Sequence, residues 1–138
     1  MKAGFLFDAC ALIAFFNDEE GAEKVDQLLK DGTRNQNSFF LHEINLLEIY
    51  YGLYRDEGEA LAEETYLKIL TLPIKIISGL RKHVFKEAGR LKSIYKISLA
   101  DSIALSEAKV RKISLITCDH HEFDLLDQNK ELDFLWIR

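Results

Sequence analysis

The sequence is 138 residues long, 48% hydrophobic, 30% charged and 11% aromatic, with one proline and seven glycines. That length suits one domain able to bury about two-thirds of the surface its unfolded chain exposes, and the composition excludes disorder, collagen-like repeats and a disulfide-dense scaffold. The net charge of −5 is unevenly spread, with 6 basic and 14 acidic groups over 1–74, 10 against 3 over 75–112, and 2 against 6 over 113–138, so charge alone neither selects nor excludes a nucleic-acid substrate.

Phe5-Leu6-Phe7, an apolar run ending at Asp8, predicts a buried strand. Ala9–Phe16 is apolar and alanine-rich and predicts a helix. Asn17-Asp18 then cap a second helix running to about Lys30, where Asp31-Gly32 break it. Ser38–Leu41 predicts a second strand, followed by a helix from about His42 to Tyr54 and another over Gly58–Leu70. Pro73 ends that region, and Ile74–Ile77 suits a third strand. Helices over Leu80–Ser93 and Ser98–Lys112 lead into strands at Ile113–Thr117 and Leu132–Ile137. Strands alternating with helices predict a parallel α/β sheet in one domain over 1–138, with no internal repeat.

Cys10 and Cys118 belong to no C-x-x-C pattern and each sits in an apolar run, which reads as two small buried hydrophobes in a reducing compartment. No apolar stretch approaches the roughly 18 residues that span a bilayer. The apolar start Met1-Lys2-Ala3-Gly4-Phe5-Leu6-Phe7 is interrupted by Asp8 too early for the hydrophobic region of a signal peptide. The expectation is a cytoplasmic protein.

The chemistry lies in where four acids sit. Asp8 follows directly on a buried strand, and Asp119 stands in the same relation to Ile113–Thr117. In a parallel sheet both emerge at the carboxyl ends of strands, where open α/β folds bind ligands. Glu48 shares a stripe with Ile44, Leu47 and Tyr51 that reads as core-facing, and a carboxylate there is costly without a partner. Asp101 opens a helix behind Ser98, in a near capping box. Carboxylates that converge repel one another, so a hard cation is their natural partner. Mg²⁺, with its preference for oxygen ligands and retained waters, fits hydrolysis of a phosphodiester.

At these residues the chain resembles the PIN domain family of metal-dependent ribonucleases, over nearly its whole length. Phe7-Asp8-Ala9-Cys10 is similar to the family's first acidic motif, and Asn45-Leu46-Leu47-Glu48-Ile49-Tyr50-Tyr51-Gly52 to its helix carrying an acid ahead of a Tyr-Gly ending. Ser98-Leu99-Ala100-Asp101-Ser102-Ile103-Ala104 is similar to the third motif and Thr117-Cys118-Asp119-His120-His121-Glu122-Phe123 to the fourth. The resemblance implies a PIN-like three-layer sandwich: a central, mainly parallel sheet of about five strands flanked by helices. It implies Asp8, Glu48, Asp101 and Asp119 as ligands of one or two Mg²⁺ or Mn²⁺ ions, with Thr117 in support. It further implies a VapC-like toxin of a toxin–antitoxin pair, with RNA as substrate, a small antitoxin as partner and a homodimeric state. Glu43 competes with Glu48 for its role, and Asp124 with Asp119.

Other signals are weaker. His120-His121-Glu122 lacks a second histidine four positions after the first, since position 125 is Leu125, so the pattern is not that of a zinc enzyme. No Gly-rich phosphate loop is present. Arg81, Lys82, Lys86 and Arg90 give one helix face a positive charge and are the candidate RNA-backbone track. Tyr50, Tyr51 and Tyr54 suit core or dimer packing better than base stacking.

Overall fold

The computed structural model describes residues 3–138; Met1 and Lys2, the first two residues of the apolar start, lie outside them. In chain order the elements are β1 (Gly4–Phe7), α1 (Ala9–Phe16), α2 (Ala22–Asn35), β2 (Ser38–His42), α3 (Glu43–Glu57), α4 (Glu59–Thr71), β3 (Lys75–Ile77), α5 (Lys82–Ile94), α6 (Leu99–Arg111), β4 (Ser114–Thr117), α7 (His120–Gln128) and β5 (Phe134–Trp136). The strands form one sheet in the order β3-β2-β1-β4-β5 with every neighbouring pair parallel. Phe7 is in register with Leu41 on one side and Ile116 on the other. The carboxyl ends of the three central strands therefore lie side by side, and the chain direction across the sheet reverses at β1, the switch point where open α/β sheets bind ligands.

Both faces of the sheet are covered, which is why the strands read as apolar runs rather than alternating ones. Phe7, Phe39, Leu41 and Ile116 pack with residues of α1 to α4 on one side. Leu6 and Leu115 pack with Leu91, Leu105, Ala108, Phe123 and Leu126 of α5, α6 and α7 on the other. Each fully buried Leu or Phe contributes about 1.5–3 kcal/mol relative to exposure. Among the described residues, no helix is long and apolar enough to cross a membrane.

Four expectations are corrected. First, α2 begins at Ala22, because Asn17 closes α1 and Asp18 takes a positive φ. The same helix continues through Asp31-Gly32 to Asn35, because Gly32 is buried and the space where its Cβ would stand is filled by the Phe39 ring. Gly32→Ala is accordingly expected to lower stability by about 1–3 kcal/mol through overpacking, despite alanine's better helix propensity, as read from the urea midpoint. Second, the pattern gives no element between Thr117 and Leu132, yet α7 forms there. Phe123 and Leu126 are the two residues it buries, too sparse a stripe to stand out among His, Glu and Asp.

Third, the stripe through Ile44, Leu47 and Tyr51 does not face the core. Leu47 is 52% and Tyr51 51% exposed, while α3 buries Asn45, Leu46 and Ile49. Fourth, the cysteines are not separate buried hydrophobes: Cys10 and Cys118 are disulfide-bonded, with Cα atoms 6.2 Å apart. Parallel pairing of β1 with β4 sets the first turn of α1 beside the end of β4, so residues 108 apart in sequence meet.

Candidate active site

Asp8 is 2% exposed and caps α1. Its Oδ1 accepts from the Ala11 N–H at 2.9 Å, and its Oδ2 accepts from the Thr117 hydroxyl. Thr117 Oγ1 in turn accepts from the Asp119 N–H at 3.1 Å. One fully buried hydroxyl thus joins the acid after β1 to the acid after β4. Asp119 caps α7, its Oδ1 accepting from the Glu122 N–H at 3.1 Å. Asp101 stands in the first turn of α6, where its N–H donates to Ser98 Oγ at 3.0 Å.

Glu48 is half-buried on α3, and Asn45 Nδ2 donates to its Oε1 at 3.1 Å and to the Ala100 carbonyl at 3.4 Å. Both neighbours are acceptors, so the amide must present its NH₂ to them. Asn45, fully buried, therefore ties Glu48 to the start of α6. Beside Glu48 a groove of about 310 Å³ runs along α1 and α3 past Ala9, Ile13, Ile49 and Tyr51.

Oxygens of Asp101, Asp119 and Glu122 lie within 4.8 Å of one another. Asp8 lies close enough to feel the charges of Asp101 and Asp119, and Asp101 that of Glu48. The four acids expected from sequence thus share one neighbourhood, joined by Glu122. Sequence reading missed Glu122, although Asp119-x-x-Glu122 is the spacing of a helix cap with an acid three residues on, a signal legible once α7 is recognised. The two competitors are engaged elsewhere: Glu43 Oε1 accepts from the Gly79 N–H at 3.0 Å, and Asp124 meets His120 Nδ1 at 2.7 Å.

Crowding and burial leave their mark on the acids. Desolvation pushes the Asp8 carboxyl up to about 7, reinforced by the Asp101 and Asp119 charges and opposed by the bonds from Thr117 and Ala11. Desolvation, then the Glu48 charge, raises Asp101 to about 7. Burial also raises Glu48. Asp8 and Asp101 take up a proton or a cation near neutral pH. The residues fit a hard divalent cation: every candidate ligand is a carboxylate, three converge, and Glu122 Oε2 is buried without a hydrogen-bond partner. Thr117→Val keeps the β-branched shape but strips partners from Asp8 and the Asp119 N–H. It is expected to cost about 1–3 kcal/mol, more near pH 8, where Asp8 is charged, than near pH 5, as read by urea unfolding.

The basic residues are unequal. Arg81 reaches the fully buried Glu107 at 3.3 Å, and Arg90 pairs with Glu87 at 2.9 Å and Glu131 at 2.7 Å. Among the described residues, Lys82 and Lys86 on α5 make no ion pair and are exposed. Glu107 also meets Arg111 at 3.1 Å, while His42 Nε2 meets the Gly79 carbonyl at 2.8 Å. These contacts hold the connection after β3 against α3 and α6. The His120 ring stacks on Trp136 with centroids 3.9 Å apart. Tyr50 and Tyr54 donate to Glu63 and Glu59, so their hydroxyls brace the α3–α4 pair.

The PIN domain sequence pattern matches residues 5–129 of the chain. No curated protein sequence matches it. Among solved structures, VapBC2 from Rickettsia felis, bound to a DNA fragment from its promoter, is similar with a TM-score of 0.72 at 17% identity, covering 96% of this chain and 98% of that one. DNA-bound VapBC from Salmonella typhimurium gives 0.73 at 12% identity and 99% coverage of both chains. VapBC-1 from nontypeable Haemophilus influenzae gives 0.70 at 17% identity, covering 97% and 98%. At these identities the likeness is one of fold, and it extends to nearly every element described above. The sequence match spans the strands and helices that carry all five acids, and on that match the chain belongs to the PIN domain family, a family of nucleases.

Proposed function

We propose that the chain is a Mg²⁺- or Mn²⁺-dependent endoribonuclease and the toxin of a toxin–antitoxin pair. The observation that carries this reading is the convergence of Asp101, Asp119 and Glu122, with Asp8 at the carboxyl end of β1 and Glu48 on α3 beside them. The solved complexes named above are VapBC structures, which supports a small antitoxin as partner. Cytoplasmic residence and a homodimer complete the proposal.

Asp8, Glu48, Asp101, Asp119 and Glu122 would hold the cation, with Thr117 and Asn45 fixing two of them. The bound ion supplies an activated water and offsets charge that develops on the phosphate. Carboxylates raised toward neutral pH suit this work. They hold protons when no cation is present and exchange them for the ion, so the folded chain does not carry the full repulsion of an empty acidic cluster. Lys82 and Lys86, with Arg81 and Arg90 nearby, offer the RNA backbone a positive track on α5. Among the four, the two lysines have no competing carboxylate and contribute most.

The test is cleavage of a labelled RNA pool by antitoxin-free protein with Mg²⁺, Mn²⁺ or EDTA. Cleavage with either metal and none in EDTA is expected. RNA binding that ignores metal, without cleavage by folded protein, would replace this reading with a catalytically silent binding module. Cleavage by a chain with no antitoxin encoded beside it would leave an RNA-processing nuclease.

A further inference from the structure

We propose that Cys10 and Cys118 form a thiol–disulfide switch on the carboxylate site, a regulation that rests on the metal-site reading above. Each cysteine lies within two residues of a candidate ligand in the chain. Cys10 lies two residues after Asp8 in the first turn of α1, and Cys118 lies between Thr117, which donates to Asp8, and Asp119. The bond therefore ties the helix that Asp8 caps to the connection that carries Asp119 and leads to Glu122. Their sequence separation of 108 means that only the folded sheet brings them together.

Cys118 is 7% exposed whereas Cys10 is half-buried, so Cys10 Sγ is the sulfur a small thiol can attack. Opening the bond yields a mixed disulfide at Cys10 and a thiol at Cys118, and a second small thiol then releases Cys10. The net change is one protein disulfide plus two thiols becoming two protein thiols plus one small disulfide, and closure is the reverse.

The bond is a covalent tie between the first turn of α1 and the β4–α7 connection. Reduction removes that tie and leaves the crowded carboxylates to be held in place by hydrogen bonds such as Thr117 to Asp8. A site that binds metal needs its ligands held within about 0.5 Å of their working geometry. The oxidised chain is the competent form and the reduced chain the weak one, so a cytoplasm rich in reduced thiols keeps the site slack and an oxidising one tightens it.

The test compares the wild-type chain in buffers of reduced glutathione and of glutathione disulfide, followed by thiol capping on denaturing gels and by Mn²⁺ titration in a calorimeter. Expected are no free thiols and Mn²⁺ affinity at least about tenfold higher in glutathione disulfide, two free thiols in reduced glutathione, and no redox response in Cys10→Ala/Cys118→Ala. Thiols that stay unpaired in glutathione disulfide, a bond that reduced glutathione leaves closed in folded protein, or equal Mn²⁺ affinity in both states would each overturn the switch alone. Absence of Mn²⁺ binding in either state would overturn the metal-site reading and the switch with it.

Discussion

Asp101→Asn is expected to reduce metal-dependent RNA cleavage by roughly a thousandfold, equivalent to about 4 kcal/mol of transition-state stabilisation, while making the metal-free protein more stable. The two effects share one cause. Asp101 is raised to about 7 by burial and by the Glu48 charge, so at neutral pH its ionised form is a burden that only a cation relieves. Asparagine keeps the shape and one acceptor oxygen but carries no charge. It removes a metal ligand and a source of repulsion together. Single-turnover cleavage and a thermal melt in EDTA read the two effects separately. A variant that melts well below wild type in EDTA would count against a repulsive cluster, and one that still cleaves would place the activity elsewhere.

Metal-free protein should lose stability as pH rises from about 4 to about 7. Asp8 and Asp101 have folded values near 7 against ordinary ones of 3.8. In that interval the unfolded chain has released protons that the folded chain still holds, so unfolding is favoured by each step upward, and the loss levels off above about 7. The expected loss is on the order of 4 kcal/mol for each of the two groups. Glu131 works in the other direction: Lys109, Tyr95 and Arg90 hold its carboxyl down to about 2, so its contribution is present above its ordinary value of 4.5 and disappears as pH falls. Stability in EDTA should therefore peak near pH 4. Excess Mg²⁺ should offset part of the decline toward pH 8, adding about 2.7 kcal/mol at a hundredfold excess over its Kd. Urea midpoints near pH 5 and pH 8, with EDTA or Mg²⁺, check this. A flat profile in EDTA would mean that the acids do not crowd.

Much of the fold was legible because the five strands and the long helices have the apolar runs and breaks that local physics demands. Asp8 and Asp119 stood out because each ends an apolar run, and a charge placed there must lie at the sheet's edge. Glu48 was found for a reason the structure does not support, since Leu47 and Tyr51 of its supposed core stripe are exposed. What marks Glu48 is its bond to the buried Asn45, which no pattern of hydrophobicity encodes. Glu122 was hidden because α7 buries only Phe123 and Leu126, leaving too little periodicity to reveal a helix. The Cys10–Cys118 bond and the helix running through Gly32 are contacts between distant segments, and strand order is what creates the first of them.

The position of β1 at the centre of the sheet also sets a schedule. Its neighbour β4 begins at Ser114, and Asp119 follows that strand, so the first acid of the cluster is made long before Asp101, Asp119 and Glu122 exist. At about 5–20 residues per second of synthesis, Asp8 waits roughly 6–20 s for Asp119 to be added. A nascent chain therefore carries no assembled cluster until Asp119 and Glu122 have been added. The cluster becomes complete only once α7, which follows every other helix in the chain, has been made.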